Sequence, residues 1–143
     1  MEVREPLQLD TLFINIAKMI HTARTDGFLA VQLFEEQDFI YHLLNLNIKL
    51  IQHGVDAGFH DFMIELEIQK FRQTNTITDS LLEKIILIQK IIPVINYQDA
   101  VYIQSIALHY CSHDTILQLH SILHDDLTEE SPFLTNTIFV PIQ

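Results

Sequence analysis

Ala23-Arg24-Thr25-Asp26-Gly27-Phe28-Leu29-Ala30 and Ile51-Gln52-His53-Gly54-Val55-Asp56 are the stretches on which the reading of the fold turns. In each, a run with helical apolar spacing stops at a glycine, and another apolar run follows. Glycine just past a helix end takes a left-handed backbone without a Cβ clash. From Ile16 to Phe62-Met63-Ile64-Glu65-Leu66-Glu67-Ile68 the chain therefore reads as helix, sharp turn, short helix, long helix, sharp turn, helix.

Upstream, Leu9, Leu12, Phe13, Ile16, Ala17, Ile20 and Ala23 form one buried stripe, with Asp10 or Thr11 placed to cap it. Phe28 to Phe34 is too short for periodicity to separate strand from helix; we read it as helix. Asp38 should cap a helix through Phe39, Ile40, Leu43, Leu44, Leu46, Leu50 and Ile51. Asp56 should open the next, burying Phe59, Phe62, Met63, Leu66 and Phe71. Thr74-Asn75-Thr76 is the clearest linker, so a sub-domain seam is expected at 73–79, between a segment 9–72 and a helical hairpin 80–126. Ser80 with Glu83 has the spacing of a capping box. The helix behind it, Leu81 to Ile95, is apolar on more than one side. It is either central or covered by another chain, which makes it the expected surface of a homo-oligomer. Pro93 should end or kink it. Asn96 and Asp99 should cap a further helix from about Tyr97, running to Leu123 or restarting at Ser112 or Asp114. Residues 127–143 should form an extended tail. The expectation is a single all-α domain, a compact bundle of about six to seven helices.

The totals agree. A chain of 143 residues, 48% apolar and 19% charged, suits a globular domain with a core, and only 3 Gly and 4 Pro leave little for the turns of an all-β fold. The net charge of −11 argues against nucleic acid and anionic lipid, which need clustered Lys and Arg. A single cysteine, Cys111, excludes an internal disulfide framework and fits a reducing compartment. The opening Met1-Glu2-Val3-Arg4-Glu5-Pro6 lacks the pattern of a secretory signal, and no run is apolar enough to span a bilayer. A cytoplasmic protein is expected.

Chemistry-bearing patterns are few. His109, His113, His120 and His124 form two i, i+4 pairs that would fall within an arc of roughly 60° on one helix, a face able to hold a metal ion. Tyr102, Ile106 and Ile116 share that face, so packing is the competing explanation, and the H-E-x-x-H order of zinc hydrolases is absent. Cys111 stands two residues from His109 and His113, a spacing that points helical side chains apart. Glu35-Glu36, Asp125-Asp126 and Glu129-Glu130 read as solvated acidic pairs. No catalytic residue and no cofactor are expected.

Residues Ala23-Arg24-x-Asp26-Gly27-Phe28-Leu29-Ala30, Asp38-Phe39-Ile40, Leu50-Ile51-x-x-Gly54-x-Asp56 and Glu65-x-Glu67-Ile68 together resemble the cytoplasmic helical segment of the flagellar stator family MotA, over roughly residues 12–70. The resemblance implies a helical segment that contacts the rotor switch protein through charged residues, and the family's arginine falls on Arg24. The family's acidic partner position holds Gln32 here, and its transmembrane helices have no counterpart in this sequence. Three expectations follow. One is a soluble, non-enzymatic protein–protein interaction module associated with the flagellar motor, docking through Arg24, Asp26, Glu35 and Glu36. The others are a metal-binding helical protein using the histidine face, and an accessory subunit that self-associates through Leu81–Ile95.

Overall fold

The computed structural model describes the backbone of residues 8–97 and 100–130, and side chains through residue 93 and again over 100–124. Over these residues it is all-helical, as the apolar spacing requires. The helices are α1 (Asp10–Asp26), α2 (Phe39–Gln52), α3 (Ala57–Thr74), α4 (Asp79–Tyr97), α5 (Ala100–Ala107) and α6 (His113–Glu130), with a single 3-10 turn at Phe28–Ala30. No described helix is long and apolar enough to cross a membrane.

Two compact units result: α1, α5 and α6 make one, and the continuous segment Phe28–Tyr97 makes the other. In the first, α1 buries Leu12, Phe13, Ile16, Ala17, Met19, Ile20 and Ala23, the stripe expected. It packs on α6 and α5, with Ile103, Leu119 and Leu123 fully buried. Gly27 ends it at φ 92°, its N–H bonded to the Ala23 carbonyl. Nothing lies within 4 Å of where a Cβ would stand, so backbone conformation alone calls for glycine here.

In the second unit α2 is central. It buries Ile40, Tyr41, Leu43, Leu44, Ile48 and Leu50, and both α3 and α4 pack on it. Asp38 caps it, accepting from the Tyr41 N–H at 3.1 Å, and Asp56 caps α3 through the Phe59 N–H at 2.9 Å. Gly54 turns the chain between them at φ 70°. The expected seam at 73–79 lies within this unit, in the connection between α3 and α4.

Several expectations need correction. Only Phe28–Ala30 of the 28–34 segment is helical. The Asn45 carboxamide takes both the N–H and the carbonyl of Phe34, at 2.9 and 2.8 Å. Gln52 donates to the Phe28 and Val31 carbonyls, at 3.2 and 2.9 Å. Backbone groups satisfied by side chains have no need of a helical ladder. The α4 cap is Thr78, whose Oγ1 accepts from the Leu81 N–H at 3.1 Å, two residues ahead of Ser80. Pro93 neither ends nor interrupts α4. The largest discrepancy is on α3, where Ile64 and Ile68 are buried but Phe59, Phe62 and Leu66 are 46%, 57% and 45% exposed. Met63 and Phe71 are half-buried. At about 100° per residue, His60, Ile64, Glu67 and Phe71 form the line that meets α2, and Phe59, Phe62 and Leu66 lie off it. Leu127–Glu130, expected in the tail, belong to α6; the rest of the expected tail, and Asp99, lie outside the described residues.

Candidate functional site

Because α3 and α4 both rest on α2, a groove opens between them, with a volume of about 740 Å³. Its floor is Ile51, Val55, Ile64 and Ile92; Ala57, Asp61 and Glu65 line the α3 side, and Gln89 and Pro93 the α4 side. Asp61 and Glu65 are the charged members of this lining. Pro93 has no N–H, so the Gln89 carbonyl loses its usual helical donor at the groove wall.

One polar pair stands in the lining. Asn47, 2% exposed, donates from Nδ2 to the Leu43 carbonyl at 2.8 Å, which fixes its amide and turns Oδ1 towards His60 Nε2 at 2.5 Å. His60 must therefore donate from Nε2. Burial pushes its pKa below the ordinary histidine value, with a smaller opposing effect from Asp61. The ring is neutral near pH 7 and works as a structural donor.

Above the groove on the α2–α3 seam, His42 lies between two carboxylates: Nδ1 is 2.9 Å from Glu36 Oε1, and Nε2 is 2.7 Å from Glu67 Oε2. Carboxylates only accept, so both ring nitrogens must donate and the imidazole is held as a cation. The bond to Glu36 raises the His42 pKa most, and burial opposes it less than the two carboxylates together favour it. Glu36 is lowered in turn, chiefly by His42 and then by Asn45. Phe39 stacks on Phe71 with ring centroids 3.9 Å apart, closing the same seam.

The residues singled out from sequence are distributed over both units. Arg24 donates from Nη1 to the Leu123 carbonyl at 3.1 Å, tying α1 to α6. Asp26 is exposed at the end of α1. Glu35 is exposed in the Phe28–Tyr97 unit, where Glu36 is engaged by His42. The four histidines do not share a helix. The chain leaves α5 at Ala107 and restarts α6 behind Ser112, whose Oγ accepts from the Thr115 N–H at 3.4 Å. His109 falls in the intervening turn and His113 is exposed at the start of α6. His120 and His124 remain neighbours on α6, but their rings lie against each other with centroids 4.5 Å apart, and both meet the Gln104 carboxamide. Among the described residues no group of three His, Cys, Asp or Glu could hold a metal ion. Cys111 also sits in the turn. Burial, and then the charge of Asp10, push its thiol up to about 12, so it is protonated and unreactive at neutral pH.

The groove residues Asn47, His60 and Asp61 carry no sequence motif, and Glu65 enters the sequence reading only through the Glu65-x-Glu67-Ile68 resemblance and not as a binding residue. The available signal was Asn47, an amide between Leu43, Leu44, Ile48 and Leu50 of an apolar stripe, which has to find a partner. No protein-family model, curated protein or solved structure matches the chain.

Proposed function

We propose that the protein is a soluble, cytoplasmic, non-enzymatic helical module that binds another protein through its Phe28–Tyr97 unit. The observation behind this is apolar surface left on helices that already have a core. Leu82 and Ile86 of α4 are exposed on the row that continues into the groove lining at Gln89 and Pro93, while Phe59, Phe62 and Leu66 are exposed on α3. Exposed apolar side chains beside carboxylates are the usual composition of a docking surface. The groove lining contains no hydroxyl, thiol or amine nucleophile, and its one imidazole is committed to Asn47. The chain's acidity selects a partner with a basic, apolar surface.

The MotA resemblance makes components of the flagellar motor the first partners to try. Purified rotor switch and stator proteins are titrated with the chain by calorimetry. The expected result is saturable binding that Leu82→Ser/Ile86→Ser abolishes. Binding untouched by that double variant, or turnover of a substrate that His60→Ala stops, would sink the proposal. Self-association through the same residues is the competing outcome, visible as a dimer in light scattering at micromolar concentration.

A further inference from the structure

We infer that the groove between α3 and α4 seats an amphipathic helix of a protein partner, with Lys or Arg along one edge and apolar residues along the other. This rests on the interaction reading above and specifies its ligand.

The two walls differ in chemistry. On α3, Asp61 and Glu65 are exposed and stand one turn apart, so their carboxylates form a short acidic rail. Opposite, Leu82, Ile86, Gln89 and Pro93 follow one another at spacings of four, three and four residues, which places them in a single row along α4. Leu82 and Ile86 expose apolar side chains, and the row continues into the groove lining at Gln89 and Pro93. A helix is about 10 Å across. Laid in the groove, it meets an apolar wall on one side and carboxylates on the other. Lys or Arg at i and i+4 matches the spacing of the rail, and their methylene stems cover the apolar floor while their heads reach the acids.

Charge removes the other occupants. A second copy of this chain carries 8 Lys and Arg against 19 Asp and Glu, and would set like charge against the rail. Nucleic acid and anionic lipid are repelled for the same reason.

The test uses the full chain and a labelled synthetic helix of fourteen residues, leucine on one face and lysine on the other, followed by fluorescence anisotropy. A peptide with glutamate in place of lysine is the charge control. Asp61→Lys/Glu65→Lys reverses the rail; Asp26→Lys/Asp114→Lys makes the same change in net charge at exposed sites in the other unit. The expected result is a loss of roughly tenfold or more for the rail variant, from two attractions turned to repulsions, and a much smaller loss for the distal variant. Leu82→Ser/Ile86→Ser should weaken the peptide as well, and the glutamate peptide should not bind. Equal losses from both charge reversals would show bulk attraction alone and overturn the inference, as would binding of the glutamate peptide or none of the lysine one. If Leu82→Ser/Ile86→Ser abolishes binding of a motor protein while the rail variant leaves both ligands unaffected, the basic helix is wrong and the interaction reading stands. If a motor protein binds without regard to Leu82 and Ile86, that reading fails whatever the peptide does.

Discussion

In the unit of α1, α5 and α6, a carboxylate from one helix closes the start of another; in Phe28–Tyr97 each helix start is closed by its own neighbouring residue, Asp38, Asp56 or Thr78, and further polar side chains stand along the helix flanks. Asp10 does not cap its own helix. Its Oδ2 accepts from Ser112 Oγ and Thr115 Oγ1, each at 2.9 Å, so a carboxylate from α1 completes the start of α6. Arg24, in the last turn of α1, bonds the Leu123 carbonyl inside α6. The Asp10 bonds answer a need that a helix start itself creates. In the other unit, Asn45, Gln52 and His42 fasten the 28–37 segment to α2, while Asp61 and Glu65 face solvent beside a groove. Polar groups bonded within their unit hold its fold together. Asp61 and Glu65, exposed beside the groove, are available to something outside it.

Perturbing each unit separately tests this contrast. The largest effect is expected from Leu43→Ala, which empties a fully buried site on the helix that α3 and α4 share, and should cost about 2–5 kcal/mol. Hydrogen exchange should show protection lost over α2–α4 ahead of α1 and α6. Uniform loss would mean the units do not open independently. Asp10→Ala should cost about 1–2 kcal/mol, with increased exchange at the start of α6. The Asp10 pKa is lowered, first by its bond from Ser112 and then by that from Thr115, so the anchor is present above the ordinary aspartate range and lost as pH falls through the depressed value. An acid titration that Asp10→Asn leaves unchanged would remove it. Ser112→Ala, which deletes both the cap and one of those donors, should cost about 1 kcal/mol.

The smallest effect concerns His42 and His60 of the Phe28–Tyr97 unit, whose pKa values should be displaced in opposite directions. The raised pKa of His42 makes its contribution complete below about pH 6.5, and that contribution fades as pH rises through the folded value. A neutral ring has one N–H, so either Glu36 or Glu67 must then let go. The lowered pKa of His60 works the other way: its stabilising effect is present above about pH 6.5 and lost as pH falls. Proton NMR should place the His42 midpoint above the ordinary value and that of His60 below it. An unchanged His60 midpoint in His42→Gln, with the alkaline loss of stability gone, would assign the effect; coincident His42 and His60 midpoints in the unaltered chain would dismiss it.

The features legible in the sequence were those decided within a few residues. Gly27 and Gly54 announced their positive φ, and Asp38 and Asp56 their caps, because each act is local. The break between α5 and α6 was readable only as an alternative at Ser112. What settles it is distant: the Leu9 N–H bonds to the Tyr110 carbonyl at 2.9 Å, and Asp10 holds Ser112. The four-histidine face went with that break. On α3, periodicity marked the apolar residues correctly but not which of them would face α2. The groove was illegible for a related reason. It is a place where two helices that share a third do not fill the space between them, and spacing within either helix carries no trace of it.

The bond from Thr115 to Asp10 joins residues 105 positions apart. A ribosome therefore releases α1 long before α6 exists to cover it, whereas Phe28–Tyr97 has its full set of helices as soon as α4 emerges. Of the described helices α1 is made before the others and is among the last to find its partners, and until α6 emerges its apolar stripe is a natural station for a chaperone.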